Sequence, residues 1–129
     1  MKKKNLEMII ESQMGILHGR VLFQDNLIID SGGTLQELED KLKSVIFDFE
    51  EVDPGSIQFL YSYDVSSLFQ RFDFLKISKV AEYAGMSPTL LRQYACQAKF
   101  PSAVQALKIE KTLHQLAEEM KTVSIYTGS

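Results

Sequence analysis

Apolar and polar residues alternate over roughly the first thirty positions of the chain and then give way to apolar residues at intervals of three and four, so strands should come first and helices after. Leu6, Met8 and Ile10, and again Val21 and Phe23, keep the period of two expected of strands with one buried face. Turn signals at Met14-Gly15 and Asp25-Asn26 divide this stretch into residues 6–11 (LEMIIE), 16–24 (ILHGRVLFQ) and 27–30 (LIID), an expected antiparallel meander. Ser31-Gly32-Gly33-Thr34 makes a loop, and Thr34 with Glu37 three residues on has the form of a capping box. Over residues 35–49, Leu35, Leu38, Leu42, Val45, Ile46 and Phe49 form one helical stripe wide enough to cover a small sheet. Glu50, Glu51, Asp53, Pro54 and Gly55 break that helix, and residues 57–63 (IQFLYSY) predict a fourth strand with Ile57, Phe59 and Tyr61 on one face. The result is a β-β-β-α-β unit over residues 1–64.

The second part, residues 65–129, is predicted to be helical. Asp64 or Ser66 caps a helix carrying Leu68, Phe69 and Phe72. Within residues 76–109 (KISKVAEYAGMSPTLLRQYACQAKFPSAVQALKI), Ala81 falls where two helices cross closely, and Gly85 supplies the left-handed residue that ends the first of them. Met86 plugs the corner, Ser87 caps the second helix, and Pro88 fits its first position. Leu91 and Tyr94 then face inward, while Thr89, Arg92, Gln93 and Gln97 point out. Ser102 caps a long amphipathic helix through Leu107, Ile109, Leu113, Leu116 and Met120, longer than one small bundle needs. The tail, residues 122–126 (TVSIY), alternates as a strand would and is suited to pair with a sheet or with its own copy.

Charge and composition narrow the function classes. The net charge of −3 divides unevenly: residues 1–74 hold seven Lys/Arg against thirteen Asp/Glu, and residues 75–129 seven against four. Only the C-terminal part is therefore suited to approach phosphate. With 45% hydrophobic and 24% charged residues and no apolar run near the roughly 20 residues of a membrane span, the expectation is a cytoplasmic globular protein with no membrane contact. The basic start MKKKN leads into an alternating segment rather than a signal-peptide core. Cys96 is the single cysteine, and His18 and His114 are far apart, so neither a disulfide framework nor a structural zinc is expected. The histidines have no nucleophile arrangement beside them, and Glu7, Glu11, Asp30 and Asp48 match no metal-ligand spacing. No catalysis and no cofactor are implied.

The C-terminal segment, with Ala81, Gly85, Ser87, Leu91, Tyr94, Pro101 and Ser102 in register, resembles the Xre or lambda-repressor-like helix-turn-helix over about residues 66–120. The N-terminal strand run and the segment LIIDSGGTLQELEDKLKSVI look like the antitoxin domain of HicB-type proteins. Together they imply an α+β protein: a partial RNase-H-like β-β-β-α-β domain followed by an all-helical DNA-binding domain. The implied function is sequence-specific transcriptional regulation, with double-stranded operator DNA, a second copy of the chain and a small toxin protein as partners. Thr89 and Gln93 occupy the positions that reach base edges in the resembling family; Gln pairs with adenine and Thr meets a thymine methyl. Lys76, Lys79, Ser87, Arg92, Gln97 and Lys99 are the candidates for phosphate or groove contacts, which set position and rest on charge or a free helix end. The alternative from another class is a protein-interaction module that sequesters a partner without binding DNA.

Overall fold

A computed structural model describes residues 4–50 and 53–128, without the side chains at 49 and 50. The basic start at residues 1–3, Glu51 and the Phe49 side chain, all used in the reading above, lie outside the described residues. The chain divides into two compact units, residues 1–71 and 72–129.

In the first unit, β1 (Lys4–Gln13), β2 (Ile16–Phe23) and β3 (Asn26–Gly32) form the antiparallel meander, followed by α1 (Leu35–Glu50), a 3-10 turn (Pro54–Ser56), β4 (Ile57–Tyr63) and α2 (Val65–Arg71). Both hairpin loops are two residues long with positive φ at both positions, Met14 and Gly15 in the first, Gln24 and Asp25 in the second. Such loops follow the right-handed twist of the strands they join. The second loop therefore lies one residue earlier than Asp25-Asn26, because Asn26 is already paired with Phe23. The strands stand in the order β3-β2-β1-β4, and β4 runs parallel to β1, with Leu6 opposite Phe59 and Ile10 opposite Tyr63. The fold class is α+β with a mixed sheet.

The stripe of α1 explains the core. Leu38, Leu42 and Ile46 are fully buried against Met8, Ile10, Leu17, Val21, Phe23, Ile28, Ile57 and Phe59. Each large side chain removed from water in this way contributes roughly 1.5–3 kcal/mol. Two sheet glycines make room for the helix. A Cβ at Gly19 would lie 2.9 Å from Leu38 Cδ2, and one at Gly32 would lie 3.1 Å from the Leu38 backbone nitrogen. Their role is close approach, which period-2 counting of apolar residues does not register.

At the start of α1, Thr34 Oγ1 accepts from the Glu37 N–H at 3.1 Å, as a capping box requires. The returning bond goes elsewhere: Glu37 Oε2 accepts from the Gly33 N–H at 3.0 Å instead of from Thr34. That bond, aided by Lys41, holds the Glu37 carboxyl below its ordinary 4.5. A carboxyl lowered in the fold stabilises it above the unfolded value and loses that contribution as pH falls through the lower folded value. Thermal melts from pH 6 to about pH 3 should therefore show a shallower acid loss for Glu37→Gln than for the parent. Parallel curves would remove Glu37 from the acid response.

Past the end of the β1–β4 pairing, α2 continues on the same unit. Asp64 Oδ1 caps it by accepting from the Ser67 N–H at 3.1 Å, and the buried Ser67 Oγ accepts from the Ser12 N–H of β1 at 2.8 Å. The boundary expected at residues 64–65 consequently lies after Arg71, and Phe72 falls outside the helix expected to carry it. A helix that satisfies a strand's backbone belongs to that strand's unit. The sheet face away from α1 leaves Leu22, Leu27, Ile29 and Leu60 more than half exposed and also carries the Arg20–Glu11 ion pair.

The second unit contains α3 (Ile77–Ala84), α4 (Pro88–Ala95) and α5 (Ala103–Lys121), the last capped by Ser102 Oγ accepting from the Gln105 N–H at 3.2 Å. Val80, Ala81, Leu91, Tyr94 and Ile109 are its buried hydrophobic residues. The tail at residues 122–126, expected to alternate as a strand, forms none, and Val123, Ile125 and Tyr126 are exposed. Alternation supplies one apolar face, but a strand also needs a ladder partner for its backbone. No described helix is long and apolar enough to cross a membrane.

Candidate nucleic-acid interface

The turn between α3 and α4 is built from backbone requirements. Gly85 adopts φ 70 and ψ 32 at the end of α3. The Met86 N–H donates to Ala81 O at 3.0 Å and the Gly85 N–H to Glu82 O at 3.2 Å, the paired bonds of a Schellman motif. Nothing lies within 4 Å of the place where a Gly85 Cβ would stand, so the glycine is there for its dihedral angle and not for space. Ala81, by contrast, is fully buried. Ser87 then takes an extended conformation, accepts from the Leu90 N–H at 3.4 Å, and passes the chain to Pro88 at the first turn of α4.

Burying Leu91 and Tyr94 sends the opposite side of α4 outward. Thr89, Arg92, Gln93 and Cys96, at spacings of three, four and seven from Thr89, share that side. Thr89, Arg92 and Cys96 are exposed; Gln93 is half-buried, so it stands less clear of the surface than its spacing suggests.

The end of α4 repeats the turn of α3 with a less suitable residue. Gln97 occupies the left-handed region at φ 65, its N–H donating to Tyr94 O at 3.2 Å and the Ala98 N–H to Gln93 O at 2.9 Å. A non-glycine residue there carries a steric cost of roughly 1–2 kcal/mol, part of which a glycine returns through its greater freedom in the unfolded chain. Gln97→Gly is thus expected to stabilise the free protein by about 0.5–1 kcal/mol in denaturant melts. An unchanged or lowered midpoint would show that the Gln97 side chain contributes more than the strain it carries.

The expected site residues are distributed as follows. Thr89, Arg92 and Gln93 come together on α4; Ser87 and Lys99 lie at its two ends; Lys76 precedes α3 and Lys79 lies on it. Residues 75–102 contain Lys76, Lys79, Arg92 and Lys99 against the single carboxylate Glu82, a local balance of +3. Lys79 Nζ lies 3.3 Å from Glu82 Oε2, both well exposed, and a pair of that kind holds Lys79 by about 1 kcal/mol or less. Lys76, Arg92 and Lys99 have no ion-pair partner among the described residues. The Ser87 hydroxyl is engaged as an acceptor in the cap, and Gln97 sits in the turn that closes the helix.

Nothing in the described residues gathers three or more His, Cys, Asp or Glu side chains around a metal position. Three of the four carboxylates noted in the sequence have other partners: Glu7 accepts from Ser62 Oγ at 2.7 Å, Glu11 pairs with Arg20, and Asp30 Oδ1 accepts from the Ser31 N–H at 2.8 Å. Counting apolar residues by period missed the second apolar face of the sheet. Its signal was present, since Leu22 alternates with Val21 and Phe23 on β2, and Leu27 and Ile29 alternate with Ile28 on β3. No known protein family, curated protein or solved structure matches the chain.

Proposed function

We propose that the chain is a sequence-specific DNA-binding transcriptional regulator of HicB-like antitoxin type, in which an Xre-type helix-turn-helix reads a double-stranded operator as a homodimer. The observation that carries this reading is the side of α4 bearing Thr89, Arg92 and Gln93, with Lys76 before it and Lys99 after it in the chain, neither of them ion-paired among the described residues. Phosphate contacts by the cations fix the helix in the major groove, and Gln93 and Thr89 meet base edges. One helix in one groove discriminates weakly, so two copies on two half-sites are needed. No chemical step is assigned to the protein.

The experiment is a mobility shift on the DNA upstream of the chain's own gene, against random DNA of equal length. Preferential retardation of the upstream fragment is the expected result.

A second reading is favoured by the open sheet face of the first unit. Leu22, Leu27 and Ile29 adjoin across β2 and β3, each more than half exposed, and Leu60 lies on the same face beyond β1. In that reading the first unit sequesters a protein partner, a small toxin in the HicB-like case, and the helical unit binds no DNA. Absence of any shift at low salt would favour it.

A further inference from the structure

The homodimer in the proposed function needs a surface, and α5 supplies one that can be argued and tested without DNA. Ile109, Leu113, Leu116, Met120 and Val123 follow at intervals of four, three, four and three, the a and d spacing of a helix lying along another helix. Ile109 is buried in its own unit, Leu113 and Leu116 are half-buried, and Met120 and Val123 are 58% and 62% exposed. The seam therefore runs past the end of the core that it serves in its own chain. The Val123 N–H donates to Met120 O at 3.2 Å, so the last turn carries the seam beyond Lys121.

The side groups fit the same use. Glu110, Lys111, Glu118, Glu119 and Lys121 fall beside or behind the seam by helical spacing, and Lys121 pairs with Glu118 of its own helix at 3.4 Å. No charge therefore has to be buried when the seam is covered. Beyond it, Ile125 and Tyr126 are each 83% exposed. Two copies covering these side chains reciprocally would remove on the order of 1,000 Å² from water, the size at which specific interfaces begin.

We infer that the C-terminal half of α5, with residues 122–126, is the contact through which two copies of this chain pair. The occupant is a second copy because the seam asks for a helix with its own spacing, and a two-fold contact presents the same patch from both sides. This inference deepens the homodimer of the proposed function.

The test is sedimentation equilibrium of the full chain in the absence of DNA. The parent should be a dimer at tens of micromolar. The double variant Met120→Glu, Val123→Glu changes only exposed side chains, and should sediment as a monomer while keeping its far-ultraviolet circular dichroism spectrum. Met120→Lys alone should raise the dimer dissociation constant at least about tenfold, and Met120→Leu should leave it unchanged or lower it. A monomeric parent at about 100 μM, a double variant that still pairs, or an assembly of other than two copies would overturn the assignment. Failure of the operator shift with these sedimentation results intact would count against the DNA reading alone.

Discussion

Leu38→Ala is expected to destabilise the first unit by about 2–5 kcal/mol, and Gly19→Ala by about 1–3 kcal/mol, yet the two together should cost less than their sum. Leu38 is fully buried, and it is the residue of α1 that a Cβ at Gly19 would meet. Shortening it removes methyl groups from a packed core and leaves a cavity that its neighbours only partly fill. Gly19→Ala errs in the opposite direction, because the added methyl would stand 2.9 Å from Leu38 Cδ2 and 3.2 Å from Cδ1. The leucine, with no exposed surface to swing into, would have to leave its rotamer or lift the helix. When Leu38 is itself an alanine, the methyl at residue 19 enters the space that the leucine has vacated. A double-mutant cycle in urea should therefore give a favourable coupling of roughly 1 kcal/mol or more. Additive costs would mean that Gly19 is required for something other than the approach of α1.

In the operator complex, Gln93→Ala and Lys99→Ala should fail in different ways. Gln93→Ala would remove the proposed base contact and should cost roughly 1–3 kcal/mol per half-site on the operator, with little change on random DNA and no change in salt slope. Lys99→Ala removes a charge, should weaken operator and random DNA alike, and should lower the salt slope by about 0.9 per copy. With Lys76, Arg92 and Lys99 each neutralising a phosphate, the parent slope should be roughly −3 per copy and between about −5 and −6 for a pair. Raising salt from about 50 to about 200 mM should then weaken the paired complex on the order of 10³-fold. Fluorescence anisotropy at several salt concentrations measures both effects. Equal loss on both DNAs for Gln93→Ala would place that side chain away from the bases, and a flat salt response would remove the cations from the interface.

Much of the architecture was legible because its signals are local. The alternation of Leu6, Met8 and Ile10, the stripe Leu38, Leu42 and Ile46, the Gly85 turn and the caps at Ser87 and Ser102 each act within a few residues. What was less legible depends on partners distant in sequence. The parallel placement of β4 beside β1 depends on a pairing across α1. The assignment of α2 to the first unit depends on Ser67 meeting the backbone of Ser12. Gly19 reads as a weak strand residue until Leu38 is set above it, and residues 122–126 alternate without a strand to join. For the candidate interface, spacing located Thr89 and Arg92 on the outside of α4, but it could not register that Gln93 is half-covered.

The position of β4 also bears on how the chain is made. While it emerges from the ribosome, β1, β2 and β3 can pair at once, since each hairpin closes over two residues. The other edge of β1 has to wait for residues 57–63, which are synthesised after the whole of α1. Until then α1 has only a three-stranded surface to settle on, and the unpaired backbone edge of β1 is exposed to any extended segment nearby. Slow translation through residues 50–63 would lengthen that interval, whereas changes downstream of Arg71 would leave it untouched.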